Sequence, residues 1–306
     1  MKHNLPLGVV LSLFAALLYS SQTAIIKTQA AVLPPLPVVI FIQSVISLIL
    51  ILPLILKNGP SGAKKILASS KLSLHLIRTV FSLSISYLLF YAVTYIPLVN
   101  GMLLANTAPL IVPFLAYLAF SQKINHRLWF PILTGYVGVA IVLHPDSSIF
   151  NPASILALGA GVAMASTMLT VRKLSATEAT ETTAFYFFLF SSIISGIISI
   201  KFWTPVSTHM LLIMAAIGAF YFATQYASTM ALKYINAQLV ASLFYSNIIY
   251  AAVISQFVWH TLPTPYTILG MILIIIGGIL CIRVEAQNKV EPLHLHQGKL
   301  AYVKET

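Results

Sequence analysis

Apolar runs of about twenty residues, separated by brief polar punctuation, recur along nearly the whole chain. A helix needs about 20 mainly apolar residues to cross the hydrocarbon core of a bilayer. Ten segments reach or approach that length: roughly 5–29, 36–56, 72–95, 98–120, 128–143, 153–173, 180–200, 209–232, 237–259 and 265–283. The fifth and seventh are the shortest or the most polar at their ends. The connections carry Pro, Gly, Asn or charge, as in KNGPSGAKKILASSK (57–71), SQKINHR (121–127) and HPDSSIFNP (144–152). This predicts an all-α integral membrane protein with ten transmembrane helices. A single transport-sized domain covers 1–284, and a polar tail covers 285–306. The first run exceeds the roughly 7–15 residues of a signal-peptide core, so it is expected to be a retained span.

Composition agrees. Of 306 residues, 59% are hydrophobic and 8% charged, where soluble domains carry about 25% charged. The net charge of +11 does not point to nucleic acid, because no basic stripe interleaved with aromatics lies on a soluble element. The basic residues flank the apolar runs instead. With the N-terminus in the cytoplasm and ten crossings, the outside holds only Lys27 and Lys201 of the 17 basic residues. That is a strong positive-inside bias. It predicts cytoplasmic termini and a bacterial cytoplasmic (inner) membrane location. The lone Cys281 excludes an intramolecular disulfide.

The chain also resembles itself. An offset of 139 residues sets Phe81 on Phe220, Tyr87 on Tyr226, Ala92 on Ala231, Tyr95 on Tyr234, Leu104 on Leu243 and Gly138 on Gly277. The N-terminal parts need a slightly different offset, which sets Lys27 opposite Arg172. Repeat one spans about 5–143 and repeat two about 153–283. Five spans per repeat is an odd number, so the second repeat enters the membrane from the opposite side. The expected plan is two inverted five-helix repeats, with a binding site near the midplane.

The stretch IRTVFSLSISYLLFYAVTYIPLVNGMLLANTAPLIVPFLAYLAF (77–120) resembles the EamA-type branch of the drug/metabolite transporter superfamily. The shared features are Arg78 at the start of the third span, Tyr91–Ala92 near its end and Thr107–Ala108–Pro109 in the fourth. Gly-rich fifth and tenth spans (TGYVGVAIVLHP, 134–145; LGMILIIIGGIL, 269–280) add to them. The resemblance implies an inverted-repeat fold and the export or exchange of small metabolites. The wording of spans three to five is most similar to carriers of amino acids and S-adenosylmethionine-like compounds. One departure stands out. The family commonly ends spans four and nine with Gly–Glu, and this chain has Ser121–Gln122 and His260–Thr261.

The six acids (Asp146, Glu178, Glu181, Glu285, Glu291 and Glu305) fall in loops, at helix ends or in the tail. A membrane-buried carboxylate, the usual ion-coupling group, is not expected, and His75 reads as an interfacial side chain, with proton coupling through it as the lesser alternative. No nucleophile–base pair or metal-ligand cluster appears within a span, and the tail HLH (294–296) reads as solvated. The chain is therefore read as no enzyme, with no cofactor and no metal.

Binding is assigned instead to polar residues inside the spans: Tyr19, Gln22, Tyr87, Tyr91, Asn106, Gln225, Tyr226, Tyr245 and Asn247. Buried amides and hydroxyls need partners, and a substrate in a cavity supplies them. Several recur at matched depth, Ser86–Tyr87 against Gln225–Tyr226 and Asn106–Thr107 against Tyr245–Ser246. In LANTAPLIVPF (104–114), Pro109 and Pro113 free two carbonyls, which marks this stretch as cavity wall and hinge. Lys27 and Arg172 read as gating or anchoring groups at opposite faces. The expected partners are a small-molecule substrate and the lipid bilayer. The expected function is alternating-access transport of a small amphipathic metabolite by exchange or efflux. A broad multidrug exporter, a channel or a scramblase are the alternatives.

Overall fold

A computed structural model describes residues 4–29, 31–57, 59–92, 94–96, 98–120, 126–143, 147–260 and 264–287. The tail beyond 287, with its HLH, lies outside the described residues, as do Ser121–Gln122 and Thr261. Thirteen α-helices follow one another: α1 (Leu5–Thr28), α2 (Leu36–Leu56), α3 (Gly59–Leu67), α4 (Leu72–Ala92), α5 (Leu98–Ala105), α6 (Ala108–Phe120), α7 (Trp129–Leu143), α8 (Ser154–Ser175), α9 (Thr180–Ser199), α10 (Thr208–Tyr234), α11 (Ala237–Phe244), α12 (Ser246–Trp259) and α13 (Pro265–Gln287). Ten helical segments among the described residues are long and apolar enough to cross a membrane. They match the ten predicted runs once α5–α6 and α11–α12 are each counted as one interrupted span.

Helix pairing follows the inverted repeat. The repeat relates α1 to α8, α2 to α9, α4 to α10, α5–α6 to α11–α12, and α7 to α13. The pairs that pack most extensively are α7 with α13, α1 with α10, α4 with α8, and α2 with α9. Exchanging the repeats turns α1–α10 into α8–α4 and maps the other two pairs onto themselves. The α7–α13 pair depends on small residues that let backbones approach closely. A Cβ at Gly138 would lie 2.6 Å from the Gly270 carbonyl oxygen, and one at Gly277 2.7 Å from the Gly135 nitrogen.

The main buried cluster lies toward the end of the bundle that carries the basic loops, here the basic end. It joins Val112, Leu128, Ile132, Leu169, Leu232 and Leu239 across both repeats. At the other end a cleft of about 600 Å³ opens between the 29–35 connection and the 204–210 segment.

Candidate functional site: matched helix breaks and a polar interior

The fourth span breaks at Asn106–Thr107 and the ninth at Tyr245. These positions are repeat equivalents under the offset of 139. Each break is finished by the same bond. Thr107 Oγ1 donates to the Leu104 carbonyl at 2.7 Å, and Ser246 Oγ donates to the Leu243 carbonyl at 2.7 Å. Local hydroxyl-to-backbone bonds of this kind compete with the helical ladder. Proline is therefore not the common cause. Pro109 falls in the first turn of α6, where its missing N–H loses no partner, and its equivalent is Ile248. Pro113 lies within α6, which continues through it. Interrupted backbone at membrane depth needs protein or water around it. Protein supplies one side: a Cβ at Gly161 of α8 would meet Thr107 Oγ1 at 2.6 Å and the Leu104 carbonyl at 3.0 Å.

Polar groups line the interior from α1 and α2. Tyr19 of α1 is 37% exposed. Its ring sits 5.4 Å from Phe244, the last residue before the α11–α12 break. One residue on, Ser20 Oγ donates to the Asn247 carbonyl at 2.7 Å. Gln22 Nε2 donates to Gln43 Oε1 at 3.1 Å. Ser44 pairs with Ser191 at 2.8 Å, and Ser47 donates to the Gly218 carbonyl at 3.0 Å. The structure thus brings Tyr19 and Ser20 of α1 to the α11–α12 break at Phe244 and Asn247, while Gln22 pairs with α2.

The other expected residues are placed apart. The Tyr245 ring turns away into a cluster with Leu103, Val139, Ile248 and Ile274, packing over Gly135. Its hydroxyl is enclosed without a hydrogen-bond partner among the described residues, as is that of half-buried Tyr87. Tyr91 is 55% exposed and bonds Tyr95 hydroxyl to hydroxyl at 3.2 Å. Asn106 Nδ2 donates to the Met102 carbonyl at 2.8 Å. Gln225 is half-buried on α10. Tyr226 donates to Glu181 at 2.8 Å, toward the basic end. Arg172 grips the Leu232 carbonyl and, at 2.7 Å, the Ile235 carbonyl. It therefore holds the C-terminal end of α10, where cations are favoured. Lys27 is exposed at the other end of the bundle.

His75, in the first turn of α4, is 0% exposed and pairs with Glu178 at 2.6 Å. Arg78 is 1% exposed. It donates to the Thr183 carbonyl at 2.6 Å and lies 4.4 Å over the Phe187 ring. The acids do sit at helix ends, yet Glu178 and Glu181 turn inward onto His75 and Tyr226. Sequence reading also passed over Gln43, Ser44 and Ser47 of α2. Their signal was available: three polar residues on an otherwise apolar span.

Ten helices long and apolar enough to cross a membrane define a multi-pass membrane protein. Residues 6–144 and 151–283 match the EamA-like transporter family, one match per repeat, and the chain belongs to that family. It is similar to the pseudopaline exporter CntI of Pseudomonas aeruginosa, 26% identical over 89% of this chain and 94% of that protein. It is also similar to a riboflavin transporter of Vibrio cholerae (27%, over 67% and 69%) and to an S-adenosylmethionine uptake transporter of Rickettsia prowazekii (21%, over 82% and 84%). A solved crystal structure shares the fold with TM-score 0.77 at 17% identity, over 92% of this chain and 99% of that one.

Proposed function

We propose that this protein is a secondary transporter that moves a small amphipathic metabolite across the bacterial inner membrane by alternating access, through exchange or efflux. The observation that carries this reading is the pair of repeat-matched helix breaks beside a polar interior. Discontinuous spans at a repeat interface are where such carriers bind their substrates. Tyr19, Gln22 and Asn247 line the substrate path, with Phe244 and Gln43 beside them, and Asn106 and Gln225 complete it from the fourth and eighth spans. Aromatic faces hold a cationic group by cation–π attraction without a carboxylate. That suits an amino acid or an S-adenosylmethionine-like compound, in line with one of the named relatives. The relatives include both exporters and uptake systems, so direction is a property to be measured. The basic end faces the cytoplasm by the positive-inside rule.

Thermal shift of the purified protein against amino acids, S-adenosylmethionine, riboflavin, polyamines and quaternary ammonium dyes tests the substrate class. A specific ligand raises apparent stability with the logarithm of its saturation. Stabilisation by one metabolite class, lost in Asn247→Ala and Asn106→Ala, supports the reading. Stabilisation by dyes alone replaces it with a broad multidrug exporter. Saturable counterflow in proteoliposomes separates a carrier from a channel or scramblase.

A further inference from the structure

The starts of α4 and α9 meet at the basic end along a continuous polar seam. Thr182 Oγ1 donates to the Ile66 carbonyl at 2.6 Å, and the Tyr186 hydroxyl to the Leu67 carbonyl at 2.6 Å. Ser69 Oγ donates to Glu178 Oε1 at 2.5 Å, and Lys71 Nζ to Thr177 Oγ1 at 2.6 Å. Deeper in, His75 Nε2 meets Glu178 Oε2 at 2.6 Å, with the imidazole stacked on Tyr186 at 4.9 Å. At the floor Arg78 joins α4 to the Thr183 carbonyl on α9 and, at 3.3 Å, to Thr229 on α10.

The inverted repeat supplies an internal control. The offset of 139 sends His75 to Met214 and Arg78 to Ile217. The offset that pairs Lys27 with Arg172, 145, sends Glu178 to Leu33. The equivalent junction at the other end therefore carries no charge at these places. Met210 and Met214 pack there against Val38, Val39 and Ile42. Leu33 and Val206 pack onto the same cluster and border the cleft of about 600 Å³. Equivalent seams of one fold thus differ in chemistry, charged and hydrogen-bonded at one end and apolar at the other.

We propose that the basic-end seam is the gate of that end, and that the His75–Glu178 pair makes it proton-sensitive. The proposal rests on the alternating-access reading. The charged groups facing the imidazole are Glu178, Arg78 and Lys71. Tyr186 of α9 covers its ring. Glu181 of α9 is engaged by Tyr226 of α10, and Arg172 of α8 by the end of α10. Glu178 is thus the anion held against three basic residues of one segment: Lys71, His75 and Arg78. Protonating the imidazole sets a full cation against the Glu178 carboxylate and strengthens the attraction across the seam. Acidification on the basic side therefore holds the gate closed, and a rise in pH loosens it.

The test is pulsed EPR on two spin-label pairs in a Cys281→Ser background. Exposed Leu72 and Ala176 report the basic end, and Val32 and Val206 report the cleft. Wild-type protein in nanodiscs is compared with Glu178→Gln between about pH 5 and pH 8, where imidazole titrates. The expected result in wild type is a longer 72–176 distance population at high pH, with a shorter 32–206 distance. Glu178→Gln should show the long population at every pH, with the open-to-closed ratio raised at least about tenfold, since breaking a buried pair is costly. An unchanged pH response in Glu178→Gln overturns the proposal. If that variant is not monodisperse, the wild-type titration decides: a 72–176 distance that ignores pH overturns it equally. Distance changes without counterflow of any solute would instead overturn the transport reading and leave the gate standing.

Discussion

At the basic end, the start of α4 meets α9 through a histidine–glutamate pair, a lysine–threonine bond and an arginine seated on a backbone carbonyl. At the other end, the equivalent start of α10 meets α2 through methionines, valines and an isoleucine, below an open cleft. The backbone plan is shared and the chemistry is not. Apolar contact in a membrane protein gains little from solvent exclusion, since lipid competes with it. Polar contact at such a seam is directional and forfeits its partners when the seam parts. Two repeats with one architecture can therefore close their two ends with different strengths and different sensitivities. The symmetric parts, the α7–α13 seam and the matched breaks, belong to both ends alike.

Substitutions at equivalent places separate these contributions. The largest effect is expected at Ile217, which is fully buried. Ile217→Ala should cost about 2–5 kcal/mol by opening a cavity, read as a lower thermal midpoint in detergent, while the pH response of the 72–176 distance persists. Its repeat mate differs in the pH response. Arg78→Met leaves the Thr183 carbonyl and Thr229 without their donor, should cost about 1–3 kcal/mol, and should flatten that pH response. Loss of stability in Arg78→Met with an intact response would show the arginine to be packing alone.

The shared scaffold comes next. Gly277→Leu drives a side chain into the α7 backbone and should cost about 1–3 kcal/mol or more, disturbing both ends equally in the two distance measurements. The matched breaks should then respond as a pair. Thr107→Val and Ser246→Ala each remove one hydroxyl bond and should cost about 1 kcal/mol apiece, with similar losses of counterflow. A loss confined to one of them would end the case for equivalent hinges. The smallest expected effect is a gain. His260 sits at φ 53 in the left-handed region at the end of α12. This is where the family commonly carries glycine. His260→Gly should raise stability by about 1 kcal/mol, relieving a conformation that costs L-residues roughly 1–2 kcal/mol, as thermal denaturation would record.

Much of the architecture was legible in one dimension. The ten spans, the odd number per repeat and the opposed charge of the two faces all follow from local rules. A run of apolar residues long enough for the bilayer spans it whatever its neighbours do, and a Lys in a short loop biases topology without a partner. The site was only partly legible, because its contents are pairings between distant segments. His75 and Glu178 are 103 residues apart, Arg78 and Thr183 105, and Ser20 and Asn247 227. Residue identity flagged Tyr245 and Tyr226 as interior groups, while packing turned one into the α7–α13 cluster and the other onto Glu181. The prolines of LANTAPLIVPF marked a break, but its cause emerged only beside its proline-free twin at Tyr245–Ser246. Hydrophobic length acts on each helix separately, whereas the direction of a buried polar side chain is set by which other helix arrives to satisfy it.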